Sequence, residues 1–245
     1  MPSVEHTSLL GHRVDILTRD QFTDVISECV KDTANGYVSF VNAHMMVEAH
    51  ENPRFALVLE GSMLNLCDGM SIVRTLRWRG VRAHRLAGPD MMPLLCALAE
   101  KQGWSIGLFG GSEPEISKLQ IELQKRFVNL RIGIALAPAF MKTGQAPDQN
   151  HIGQINQSGV DLLFVSLGCP KQEWWMHQSQ EHLNCLQFGV GAAFPLLAGI
   201  QKRAPKWMQQ LGLEWLFRLA QEPKRLWKRY TITNLRFLSL LIQNR

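Results

Sequence analysis

Asp161-Leu-Leu-Phe-Val-Ser-Leu167 runs into Gly168-Cys169-Pro170-Lys171-Gln172-Glu173, and the reading of this stretch decides the fold. A short apolar run that stops at a glycine reads as a strand, and the polar residues after Pro170 read as the start of a helix. The same alternation recurs on either side. Tyr37–Asn42 reads as a strand followed by a helical stretch from Ala43 to Leu59. Trp104–Phe109 is a further strand closed by Gly110-Gly111. After it, Ser112-Glu113-Pro114-Glu115 has the spacing of a capping box at the head of a helix reaching Phe127. Arg131–Leu136 and Leu186–Gly191 complete the set of strands. Apolar runs alternating with amphipathic stretches predict βαβ units, and hence an α/β fold with a mostly parallel sheet and flanking helices. Ligands of such sheets sit outside the carboxyl ends of the strands. That rule singles out Asn42, Gly110, Gly111, the turn from Gly168 to Glu173, and Gly189-Val190-Gly191. Asp68 joins them on an Asp-Gly turn between two apolar stretches.

Composition narrows the function classes. The 245 residues are 46% hydrophobic and 19% charged, which suits one sizeable core and argues against disorder. Cys29, Cys67, Cys96, Cys169 and Cys185 are odd in number and widely spaced, with no C-x-x-C pair. They fit neither a disulfide framework nor a zinc site, so a reducing cytoplasm is expected. Residues 1–17 lack a basic segment followed by an apolar run, and no uninterrupted apolar run of about 18 residues occurs. The expectation is a soluble globular protein.

The net charge of +5 is unevenly placed. From Ile200 to Arg245 ten basic residues face two acidic ones, a balance of +8, which leaves 16 basic and 19 acidic groups, or −3, in residues 1–199. The chain accordingly divides into a body, 1–199, and a C-terminal helical appendage, 200–245. A basic tail on a near-neutral body predicts an anionic partner. The tail reads as helical from Pro205 to Ile242, interrupted or restarted at Pro223, with Trp207, Leu211, Trp215, Leu216 and Leu219 forming an apolar stripe. Trp beside Lys and Arg is the composition of a helix lying on an anionic membrane surface. A helix that packs its stripe on the body gives the same pattern.

Several common chemistries leave no trace. Gly107-Leu-Phe-Gly110-Gly111 lacks the G-x-G-x-x-G spacing, no P-loop or G-x-S-x-G sequence occurs, and the eight His form no H-x-x-x-H pair. No metal or cofactor is expected. A lone Asp-Gly such as Asp68-Gly69 is a turn signal as readily as a catalytic carboxylate. Gly168–Glu173 can be an ordinary strand-to-helix turn, or a set of backbone N–H groups with Lys171 that receives an anion.

Taken together, the ordered motifs resemble a bacterial glycosyltransferase family. It is typified by the UDP-N-acetylmannosaminuronate transferase of enterobacterial common antigen synthesis, and it also holds the N-acetylmannosaminyltransferase of teichoic acid linkage-unit synthesis and several capsule and exopolysaccharide transferases. The motifs are Asn42-Ala43, Asp68-Gly69-Met70-Ser71, Arg85-Leu-Ala-Gly88-Pro-Asp90, Gly110-Gly111, Gly168–Glu173, Gly189–Phe194 with Ala198-Gly199, and Lys202–Pro205 through Gly212–Trp215 to Arg225. They extend over most of the chain. The resemblance implies a Rossmann-like core, a UDP-sugar donor, and an inverting, metal-independent transfer to a polyprenyl-diphosphate-linked saccharide at the inner face of the cytoplasmic membrane. It also implies a C-terminal appendage that closes over the site. By motif match Asp68 takes the place of the general base. Asn42, Gly110, Gly111, Lys171, Gln172, Glu173 and Gly191 fall in the donor pocket, and Arg203, Arg218 and Arg225 fall where the diphosphate is met. A single base and arginine charge on the departing diphosphate suffice chemically for such a reaction.

Four departures from the family's pattern bear on the donor sugar. Phe40 stands for a common Thr, Pro195 for a common Asp and Cys67 for a common Pro, while Ala135, Pro138, Ala139 and Phe140 replace a glycine-aromatic loop. The competing reading is a Rossmann-like nucleic-acid-binding or regulatory module that uses the tail on phosphates. The Asp-Gly turn and the glycine-rich strand ends favour a small-molecule crevice, and the tail aromatics follow a stripe instead of being scattered as base-stacking platforms. No nucleic acid is therefore expected as partner, and a homo-oligomer is compatible with the sequence.

Overall fold

The computed structural model describes residues 4–243, apart from the side chains of Arg225, Lys228 and Arg229. The chain opens with a hairpin, β1 (His6–Leu9) and β2 (His12–Asp15), joined by Leu10-Gly11 with both residues at positive φ. Two positive-φ residues make the tight turn whose twist matches a hairpin. Six parallel strands follow: β3 (Gly36–Val41), β4 (Leu64–Cys67), β5 (Ser105–Gly110), β6 (Arg131–Leu136), β7 (Leu162–Ser166) and β8 (Leu186–Gly189). The sheet order is β1-β2-β4-β3-β8-β7-β5-β6, and among the described residues β1 and β2 are the only antiparallel pair.

Side chains leave each strand alternately to two faces, as a period of two requires. Val38, Phe40, Leu64, Leu66, Leu162, Phe164, Leu186 and Phe188 join one cluster, which is completed by helices α1 (Arg19–Lys31), α5 (Gly88–Gln102), α6 (Glu113–Arg126) and α9 (Ala193–Leu197). Tyr37, Leu163 and Val165 point the other way, to α7 (Gln149–Ser158) and α8 (Lys171–Ser179). Val41 and Cys67 meet α2 (Ala43–Glu51), α3 (Pro53–Glu60) and α4 (Met70–Trp78). Helices on both faces of a parallel sheet confirm the α/β, Rossmann-like fold.

Some local expectations need correction. The helix expected from Ala43 to Leu59 is two helices, because Asn52 ends α2 and caps α3, with Pro53 at the first position of α3. Proline there lacks only an N–H that would have no partner in the helix. The Ser112–Glu115 capping box does not close: the Ser112 side chain makes no cap bond, and the Ser112 backbone N–H only favours the ionised Glu115 carboxylate. The hairpin β1–β2 and strand β4 lay outside the strands read from the sequence.

Beyond Ile200 the chain forms α10 (Lys206–Gln210), α11 (Glu214–Gln221) and α12 (Pro223–Gln243), so Pro223 does start a new helix. Helix α12 lies on α2, burying Phe237 in that cluster, with an Arg236–Glu51 ion pair at 2.6 Å. The tail's apolar residues are divided. Leu226 and Phe237 are buried, whereas Trp207, Leu211, Trp215 and Leu216 stay exposed, as do Ile232, Leu235, Leu238 and Ile242. No helix among the described residues is long and apolar enough to cross a membrane.

Candidate active site

The carboxyl ends of β4, β3, β8, β7 and β5 open side by side into one cavity of about 1060 Å³, roofed by α10–α12. Each strand end delivers a residue because its backbone is pinned to its neighbour. At the β4 end the Asp68 N–H donates to Val41 O at 2.9 Å, and Leu86 N–H donates to Cys67 O at 2.8 Å. Asp68 is thereby held at the cavity floor beside Gly69, the N-cap of α4. At the β3 end Asn42 caps α2, its Oδ1 accepting from the N–H groups of His44 and Met45.

Asp68 is a strongly perturbed acid of the cavity. Its side chain is 29% exposed, but only towards the walled cleft. Desolvation there pushes its pKa up to about 6, with Arg85 and Arg218 pulling down and Glu214 and Asp90 pushing up. Desolvation disfavours the charged form and outweighs the arginines. Arg85 anchors the turn: Nε donates to Asp68 O at 2.9 Å, and Nη2 lies 3.9 Å from Asp68 Oδ1. The same guanidinium reaches Asp90 at 3.3 Å and, in the tail, Glu214 at 2.7 Å. Burial alone would raise Asp90, but the Arg203 fork at 2.7 and 2.8 Å holds its pKa below the usual carboxylate range. Two neighbouring carboxylates are thus driven in opposite directions, a pattern of acid–base sites.

At the β7 and β8 ends Gln172 is buried, its Nε2 donating to Gly189 O at 2.7 Å and to Glu173 Oε1 at 2.8 Å. Two acceptors fix which way the amide faces. Its Oε1 is buried without a hydrogen-bond partner and lies near Gly191, so it can accept from a ligand. Ser166 Oγ donates to Gly191 O at 2.8 Å, tying β7 to the loop after β8.

The expected site residues fall into two groups. Asp68, Asn42, Gly111, Gln172, Glu173, Gly191 and Arg218 line the cavity together. Gly110, Lys171 and Arg203 do not border it. Gly110 carries φ +117° with the Ser166 backbone where a side chain would stand, so it lets β5 and β7 close up. Lys171 Nζ sits 4.0 Å over the Phe140 ring, and Arg203 is taken up by Asp90. The side chain of Arg225 lies outside the described residues. Of the departures, Phe40 and Pro195 both border the cavity.

Arg74, Arg85, Glu115 and Glu214 also line it and were not singled out for a role. Arg85 and Asp90 sat inside a quoted motif, and Glu115 was read as a cap. Glu214 likewise sat inside a motif, Gly212–Trp215, with no role of its own. Among the described residues no group of three or more His, Cys, Asp and Glu side chains is placed to hold a metal ion. A family model described as the glycosyl transferase WecG/TagA/CpsF family matches residues 7–245.

Proposed function

This chain belongs to the WecG/TagA/CpsF family of glycosyl transferases, and from that premise we propose the transfer it carries out. A hexose or N-acetylhexosamine-type sugar moves from a UDP-sugar to a polyprenyl-diphosphate-linked saccharide, with inversion, in cell-surface polysaccharide synthesis. The single observation that carries the reading is Asp68, a carboxylate at a strand end with its pKa near 6, inside a cleft that also holds Arg74, Arg85 and Arg218.

Such a base is ionised at neutral pH yet basic enough to take a proton, the compromise that general-base catalysis favours. Asp68 removes the proton from the acceptor hydroxyl as its oxygen attacks the anomeric carbon. The bond from that carbon to the diphosphate oxygen breaks, and UDP leaves with the electron pair. Arg218 and Arg74 supply positive charge to the departing diphosphate through charge-assisted hydrogen bonds. Gln172 Oε1 and the Asn42 region position the donor. No second carboxylate is required, and the reaction's stereochemistry follows from attack on the face opposite the leaving group.

Residues 200–245 act as the appendage that roofs the site and docks the enzyme on the anionic inner face of the cytoplasmic membrane. Support comes from the exposed stripe of Trp207, Leu211 and Leu216, from the outward Ile232, Leu235 and Ile242, and from the tail's charge of +8. The test is direct. The protein is incubated with a short-chain lipid-diphosphate saccharide and a panel of UDP-sugars, and UDP release and glycolipid product are measured together. Turnover of one UDP-sugar with an inverted linkage supports the reading; no turnover of any donor by folded, active-site-intact protein refutes it.

A further inference from the structure

The cavity is electrically lopsided. Its arginines, Arg74, Arg85 and Arg218, stand at the Asp68 end, under the tail, and outnumber the Asp68 and Glu214 carboxylates there. At the other end, beside Gly111 just past β5, stands Glu115. Four strand spacings separate the ends of β4 and β5, roughly 19 Å at about 4.8 Å each. A ligand made of base, ribose, diphosphate and sugar can span that distance, and a free sugar cannot.

Glu115 is built into its place. Its ionised carboxylate is favoured by the Ser112 backbone N–H, and Gly111 supplies the room, since a Cβ there would stand 3.1 Å from Glu115 Cδ. The carboxylate also occupies the head of α6, where unpaired N–H groups would otherwise welcome a phosphate. Burial raises its pKa, and among the described residues no cation takes part in its ionisation. Each carboxylate offers about four lone-pair sites, so beside the Ser112 N–H it still accepts but cannot donate. Such a group repels the diphosphate and receives hydroxyls, and the diphosphate is drawn to the arginine end.

Resting on the transferase reading above, we propose that the Glu115 carboxylate receives the 2′- and 3′-hydroxyls of the donor's ribose. The nucleoside then lies at the β5 end of the cleft, and the transferred sugar lies at Asp68. Glu115 sets specificity for a ribonucleotide over a deoxyribonucleotide and has no part in the bond-breaking step.

The test is calorimetric binding of UDP, 2′-deoxy-UDP and 3′-deoxy-UDP to the full chain and to Glu115→Gln and Glu115→Ala. Gln keeps the shape of Glu115 and the acceptor oxygen that faces Ser112, as a capping-box Gln does, so Glu115→Gln should melt with the wild type. The wild type should prefer UDP over at least one deoxy analogue by about tenfold, the effect of a hydrogen bond to a charged group. Glu115→Gln should cut that preference to about threefold or less, and Glu115→Ala should abolish it. Both variants should keep the wild-type preference for UDP over uridine, which the arginines set. An unchanged ribose preference in both variants, or none in the wild type, overturns the Glu115 contact while leaving the transferase reading intact. Failure of the wild type to bind UDP at all overturns the transferase reading, and this inference with it.

Discussion

Replacing Asp68 by Asn should make the protein more stable and nearly inactive at once. The ionised carboxylate is held in a desolvated cleft, and its pKa of about 6 stands above the ordinary value of 3.8. Between these values the folded state binds more protons than the unfolded chain, so stability falls as pH rises through that window. Above pH 6 the full penalty applies, and the gap is worth about 3 kcal/mol. Asparagine keeps the shape without the charge and leaves Arg85 with Asp90 and Glu214. Asp68→Asn should therefore gain about 2–3 kcal/mol at pH 7.5, raising the melting temperature by about 4–12 °C, and the gain should vanish near pH 4. Turnover should fall by about 10²–10⁴-fold with UDP affinity nearly unchanged. Wild-type kcat/KM should rise with pH along a limb centred near 6, and the variant's residual rate should lack that limb. Thermal melts across pH 4–8 alongside initial rates give all three quantities. A variant that is equally stable at both ends of that range and turns over at a normal rate would refute the assignment.

Arg203→Ala removes the two bonds of 2.7 and 2.8 Å to Asp90. It should loosen the tail, seen as faster proteolysis beyond Ile200, and cost about 1–3 kcal/mol for a half-buried pair. Gly110→Ala places a Cβ in the Ser166 backbone at φ +117° and should destabilise the fold by more than about 2 kcal/mol, measured by urea unfolding. Trp207→Ala with Leu211→Ala removes exposed apolar surface and should weaken flotation with anionic liposomes about tenfold or more, with little change in melting temperature.

The parts of the fold that were legible in the sequence are those whose signals are local. Strand β7 is a run of apolar residues between a turn and a glycine, and it is buried along almost its whole length. Strand β4 was missed because Asn65 interrupts its four residues. The Asn65 side-chain Nδ2 donates to Leu59 O at 2.8 Å, while its backbone N–H donates to the Asp15 carboxylate, fifty positions away, at 2.6 Å. The β1–β2 hairpin turns on Leu10 at φ +53°, an unusual residue for that conformation. The helix break at Asn52-Pro53 was written in the sequence, but the apolar periodicity ran past it. At the site, the glycines and polar residues closing the strands could be found by position alone. The Arg85–Asp90–Arg203–Glu214 network could not, because it joins residues more than a hundred positions apart.

That network makes the roof part of the base's chemistry. Glu214 and Arg218, both on α11, act on Asp68 with opposite signs. The tail also covers the cavity, and so adds to the dryness of its floor. Lifting α10–α12 would flood the floor with water, remove most of the desolvation and return Asp68 towards an ordinary carboxylate, a poorer base by up to about a hundredfold in proton affinity. By reciprocity, closing the roof draws a proton towards Asp68, so ionisation of the base and closure oppose each other at neutral pH. With Asp68 as the base proposed above, an open enzyme would be a weak one, and a donor sugar entering before the roof is seated would meet little basicity with which to activate stray water.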